Sequence, residues 1–138
     1  MASDEKIKPL FWIGDSLKNL REFPESVKDR IGFALYQGQA GSKHISAKPL
    51  KGLGGGIIEI VEDFDEDTYR AVYTVKLKGA IYVLHAFQKK SKKGIKTPQK
   101  DIELIKQRLK IAQLHFNESF INNQGNNHNE RSNSSNCK

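Results

Sequence analysis

Hydrophobic residues recur with a helical period early in the chain and with a strand period later, and the change marks out the elements. Ile7 to Ile13 is a short apolar run containing the aromatic pair Phe11 and Trp12, and it reads as a first strand. Asp15-Ser16-Leu17-Lys18-Asn19-Leu20 follows as a short helix, with Asp15 or Ser16 as its cap. Pro24 stands where a proline is tolerated in the first turn of a second helix. Val27, Ile31, Ala34 and Leu35 form the apolar face of that helix, and Gly38 and Gly41 end it. The two helices, joined by a short link, make an antiparallel hairpin.

From Ile57 onward the period is that of strands. Ile57 to Val61, Tyr69 to Leu77 and Ala80 to Phe87 are β-branched and aromatic runs of strand length. Lys78-Gly79 links the last two and makes them a hairpin. Ile81 to Phe87 is apolar on both faces, which places it inside the sheet with helices covering it. The last helix is predicted with Thr97 as cap and Pro98 at its first position. Ile102, Ile105, Leu109, Ala112 and Phe116 give it a stripe for packing on the sheet. The fold class is therefore α+β: two N-terminal helices on a small, mainly antiparallel sheet, closed by a C-terminal helix.

The chain of 138 residues suits one domain, which is expected to span residues 1–119. Eight of the last 22 residues are Asn, so residues 120–138 are expected to form a disordered tail with too little apolar surface to order. Cys137 is the single cysteine, so no internal disulfide can form. No run reaches the ~20 apolar residues of a membrane span. A cytoplasmic protein with no membrane partner is the expectation.

Charge narrows the partner. The 23 Lys and Arg against 16 Asp and Glu leave +7, which suits a phosphate-rich partner and equally suits simple solubility. The charges are also segregated. No acid lies between Asp67 and Asp101, a stretch that holds Arg70, Lys89, Lys90, Lys92, Lys93 and Lys96 among its cations. Glu59 to Asp67, by contrast, contains six acids and reads as an acidic turn beside the basic face.

Candidate chemistry converges on one end of the sheet. His85 and Phe87, two residues apart, share a strand face, and Lys89 and Lys90 follow them. Counting outward from Lys78-Gly79 places Arg70 opposite Phe87. A guanidinium, an imidazole, an aromatic ring and ammonium groups would then lie together, a set suited to metal-free RNA cleavage. Arg70 with Lys89 or Lys90 would hold the charge of the phosphorane, His85 would move protons, and Phe87 would stack on a base. The same histidine among Val83, Leu84 and Phe87 also fits a hydrogen-bonded core residue. His44, His85, His115, His128 and Cys137 show no ligand spacing, so neither a metal nor a cofactor is expected. The Gly52 to Gly56 run lacks the lysine and hydroxyl of a P-loop and reads as a turn.

A succession of short motifs resembles a known family. Lys48-Pro49-Leu50-Lys51-Gly52-Leu53, Tyr69-Arg70-Ala71-Val72-Tyr73, Leu84-His85-Ala86-Phe87-Gln88-Lys89-Lys90 and Thr97-Pro98 occur in the order found in the Gp49-like, HigB-type branch of the RelE/ParE toxin superfamily. The resemblance covers roughly Ile7 to Phe116. It implies a RelE-like, microbial-RNase-type fold and a type II toxin that cleaves mRNA on the ribosome. It also implies a cognate antitoxin, often of the helix-turn-helix kind. Arg70 matches the family's arginine in the Tyr-Arg strand, and Lys89 and Lys90 match its Phe-x-Lys-Lys end. Taken with the strand-face and charge readings, the catalytic candidates are Arg70, His85, Lys89 and Lys90, and the RNA-binding candidates are Lys51, Phe87, Lys92, Lys93 and Lys96. Two competing readings are a ParE-like gyrase poison and a non-catalytic basic nucleic-acid-binding domain.

Overall fold

The computed structural model describes residues 7–89 and 96–121. Its elements are β1 (Leu10–Trp12), α1 (Ser16–Arg21), α2 (Glu25–Gln39), β2 (Ala47–Pro49), β3 (Ile57–Phe64), β4 (Asp67–Thr74), β5 (Ile81–Lys89), α3 (Gln99–Phe116) and a terminal π-helical turn, Asn117–Ile121. The strands form one sheet in the order β1-β5-β4-β3-β2. β1 runs parallel to β5 and every other pair is antiparallel.

Each face of the sheet has its own helical cover, as the apolar stripes require. Leu20 and Phe23 with Val27, Ile31 and Leu35 of α2 pack on Ile58, Ile60, Tyr73, Ile81 and Val83 on one face. Ile105, Ala112 and Phe116 of α3 pack on Ile57, Val72, Tyr82 and Leu84 on the other. Fully burying one such aliphatic side chain stabilises the fold by roughly 1.5–3 kcal/mol. Beyond α3, Phe120 stacks on Phe116 at 4.9 Å and meets the edge of Phe11 at 6.2 Å, so the packed body includes the π-helical turn. The Asn-rich segment from 122 lies outside the described residues.

The ends of α2 follow from backbone chemistry. Gly41, at φ +91°, takes the left-handed position past the helix. The Ser42 amide donates to the Gln37 carbonyl at 2.8 Å and the Gly41 amide to Gly38 at 3.1 Å, the paired bonds of a Schellman end. Gly38 lies inside the helix and lets it approach β4: an added Cβ would stand 3.1 Å from the Tyr73 ring.

The expected helix caps take other roles. Neither Asp15 nor Thr97 makes a side-chain cap bond, and Pro98 is the residue before α3. The Asp15 carboxylate instead accepts from Arg108 of α3 at 2.8 Å, and Ser16 donates to the Val83 carbonyl at 3.2 Å. These side chains join elements distant in sequence rather than closing the ends of their own helices.

The β4–β5 hairpin also differs from expectation near its turn. The Ala80 amide donates to the Leu77 carbonyl at 3.3 Å around Lys78-Gly79, but laddered pairing starts only at Thr74 and Tyr82. A bulge then separates Tyr73↔Val83 from Val72↔His85 and leaves Leu84 as the extra residue. The bulge restores the register counted from the turn, so Arg70 does pair with Phe87. It also turns both Leu84 and His85 toward α3: Leu84 joins the α3-side core and His85 bonds to Asp101.

The acid-rich stretch is mostly strand. β3 continues through Phe64, and only Asp65-Glu66 forms the turn to β4, both residues at positive φ (52° and 71°). Two such residues give the type I′ geometry that matches the twist of a hairpin. Glu59 and Glu62 are buried, so these two acids do not belong to a solvated turn.

Candidate active site

Strand register places the candidate residues on one face. Glu59 pairs with Val72, Val72 with His85, and Arg70 with Phe87, so Glu59, Arg70, His85 and Phe87 all face α3. Phe87 stacks on the His85 imidazole with centroids 4.6 Å apart and planes 21° apart. The first turn of α3 and the two residues before it lie over this group.

Two buried polar clusters join the sheet to that turn. In the first, Arg70 Nη1 donates to Glu59 Oε2 at 2.8 Å and to Thr97 Oγ1 at 3.1 Å. Thr97 Oγ1 donates in turn to the same Glu59 oxygen at 2.6 Å. Arg70 is 3% and Glu59 4% exposed, so the pair is desolvated and its hydrogen bonds carry the compensation for burial. In the second cluster, His85 Nε2 lies 2.8 Å from Asp101 Oδ1, with His85 5% exposed.

Burial lowers the His85 pKa below its ordinary value; Asp101 opposes the shift through its hydrogen bond and charge, and the Arg108 charge adds to it. The imidazole is therefore neutral at pH 7. Facing a carboxylate, its Nε2 carries the proton and donates to Asp101. Nδ1 is left as a buried lone pair with no hydrogen-bond partner among the described residues. Arg108 completes the surroundings, donating to the Leu84 carbonyl at 3.1 Å and to Asp15. Its guanidinium holds the exposed Asp15 carboxyl below the usual range.

A cleft of about 620 Å³ opens beside the first cluster. Glu59 and Thr97 lie on its lining, with Lys48 and Lys51 on the β2 side and Lys96 and Lys106 on the α3 side. Of the residues expected to bind RNA, Lys51 and Lys96 thus meet at one cleft. Lys89 Nζ donates to the Lys96 carbonyl at 3.2 Å, which ties the end of β5 to the approach to α3. Lys90, Lys92 and Lys93 lie outside the described residues.

The arrangement brings together a guanidinium, an imidazole with a bare nitrogen and a stacked aromatic ring, next to a lysine-lined cleft. It also covers Arg70 and His85 with the first turn of α3. Glu59, Asp101, Lys48, Lys106 and Arg108 were not among the expected site residues. Glu59 was legible in principle: it shares a strand face with Ile57 and Val61, where an acid needs a buried cation.

The family described as phage-derived protein Gp49-like (DUF891) matches residues 18–110, two-thirds of the chain. The chain belongs to the Gp49-like family. The matched span of this Gp49-like chain runs from α1 to the Arg108 turn of α3 and so includes both buried clusters and the cleft. No curated protein and no solved structure matches it. Among the described residues of the Gp49-like chain, no three or more His, Cys, Asp or Glu are grouped to hold a metal ion. No described helix is long and apolar enough to cross a membrane.

Proposed function

We propose that this Gp49-like chain is the toxin of a type II toxin–antitoxin pair, a cytoplasmic endoribonuclease of the RelE/HigB type that cuts mRNA on the ribosome. The observation that carries the reading is the gathering of Arg70, His85 and Phe87 on one sheet face beside the cleft lined by Lys51 and Lys96. Membership of the Gp49-like family is compatible with it.

In this reading the 2′-oxygen attacks the adjacent phosphorus as the bond from phosphorus to the 5′-oxygen breaks. The 2′-hydroxyl proton passes to His85 Nδ1, which the strand reaches only when the first turn of α3 moves off the sheet, and the 5′-oxygen leaves with a proton from solvent. Arg70 stabilises the charge that develops on the phosphorane, and Lys89 and Lys90 add to the positive field. Phe87 stacks on an unstacked base. A strand entering by the cleft meets the Glu59–Thr97 edge first and reaches Arg70 when phosphate replaces those partners. The ribosome and mRNA are the proposed substrate complex, and a small antitoxin of the helix-turn-helix kind is the proposed partner.

A second reading draws on the burial of Arg70 and His85. A gyrase poison of the ParE kind, or a non-catalytic nucleic-acid-binding domain, needs no open acid–base pair. The test is a translation reaction programmed with a defined mRNA, with and without ribosomes, and cleavage mapped by primer extension. Discrete cuts that require ribosomes uphold the nuclease reading. Intact mRNA alongside growth arrest and DNA-damage signalling would replace it with gyrase poisoning, and intact mRNA without arrest would leave a binding domain.

A further inference from the structure

The cleft between β2 and the start of α3 has two cations besides Lys51 and Lys96. Lys48, on the edge strand β2, and Lys106, two turns along α3, also line it, so four cations surround about 620 Å³. The acids nearby are already engaged. Glu59 holds Arg70 and Thr97, and Glu103 sits 3.7 Å from Lys106 on the exposed side of α3. Half-buried Leu50 and Ile102 add apolar wall between the cations. A volume within the roughly 300–1,000 Å³ of small-ligand sites, apolar between its cations, fits a nucleotide unit rather than a bare ion.

We infer that this cleft is a groove for single-stranded nucleic acid, with Lys48 and Lys106 as phosphate-binding residues and Leu50 and Ile102 as the surface against which one base lies. The inference rests on the nuclease reading for its direction: the strand held here runs on toward Arg70. Lysines contact phosphate as point charges and carry no base information, so the groove sets position rather than sequence. The base must leave its stack to reach Leu50 and Ile102, so the groove favours single strands over duplex.

Binding of a labelled 2′-O-methyl octauridylate, a strand that cannot be cut, to the full chain tests this apart from cleavage. Fluorescence anisotropy is read between 50 and 200 mM salt, a range over which phosphate contacts show as a slope. Each phosphate contact on a single strand contributes about 0.7 to the slope of log affinity against log salt. Lys48→Ala/Lys106→Ala is expected to bind on the order of tenfold more weakly at the low-salt end and to lower the slope by about 1.4. Lys18→Ala/Lys78→Ala removes the same charge from exposed positions away from the cleft and is expected to leave the slope unchanged. Equal losses in the two double variants, no measurable binding by the wild type, or tighter binding of the corresponding duplex would each overturn the inference. Cleft-dependent binding by a chain that leaves ribosome-bound mRNA intact would uphold the groove and refute the nuclease.

Discussion

The Arg70–Glu59 pair predicts a specific stability cycle. The guanidinium and carboxylate side chains are 3% and 5% exposed and 2.8 Å apart. Replacing Arg70 with Met removes the cation and leaves a buried carboxylate whose remaining donor among the described residues is the Thr97 hydroxyl. Breaking a buried pair from one side costs about 3–5 kcal/mol, a large share of the ~5–15 kcal/mol that holds a domain together. Replacing both partners at once, as Glu59→Leu/Arg70→Met, removes the orphaned charge and restores apolar packing. Such exchanges are often neutral or stabilising by ~1–4 kcal/mol. The Thr97 hydroxyl then loses its acceptor but sits at the rim of the cleft, where water can replace it. In urea, with a slope of about 2 kcal/mol/M, the single variant should unfold about 2 M earlier than wild type and the double close to it. Circular dichroism across a urea series reads both midpoints. A single variant within about 0.5 M of wild type, or a double variant as unstable as the single, would refute the argument that burial makes this pair interdependent.

Other consequences follow from the same two clusters. The folded-state pKa of His85 lies below its unfolded value because burial disfavours the imidazolium, so its stabilising contribution is complete above about pH 6.5 and is lost as the pH falls through the folded-state pKa. Denaturant midpoints measured from pH 7.5 downward should therefore decline for the wild type more steeply than for His85→Gln; parallel curves would assign the decline to other groups. Thr97→Val should cost about 1–2 kcal/mol by leaving Glu59 and Arg70 each one partner short, and Thr97→Ser should retain most of that stability. Equal melting of the Val and Ser variants would show that the hydroxyl contributes nothing.

The two faces of the sheet were legible because apolar residues fix them: Val27, Ile31 and Leu35 on α2, and Ile105 and Ala112 on α3, all lie where their spacing placed them. The pairing of Arg70 with Phe87 was legible by counting from Lys78-Gly79, although the count passes over the bulge at Leu84 that directs His85. β2 was not legible. It is three residues long, ends in Pro49, and has one buried position, Ala47, so alternation had little to act on. Asp15 and Thr97 look like caps because local sequence contains only local partners; their actual partners, Arg108 and Glu59, are brought in by tertiary packing. Asp101 falls among the charges of a helix start, and nothing in its spacing shows that a buried imidazole from β5 will face it. Cover over the site was the least legible feature, since the pattern of α3 shows that it packs on the sheet but not that its first turn lies over Arg70.

The central claim is tested most directly by comparing cleavage of one ribosome-bound mRNA by wild type and by Arg70→Lys, both shown to be folded by circular dichroism. The lysine keeps a positive charge beside Glu59 but lacks the planar fork that spans two oxygens of a phosphorane. Loss of such a preorganised donor predicts cleavage slower by a factor on the order of 10²–10³ at unchanged cut sites. Cleavage by folded Arg70→Lys at the wild-type rate, or no cleavage by the wild type itself, would contradict the account.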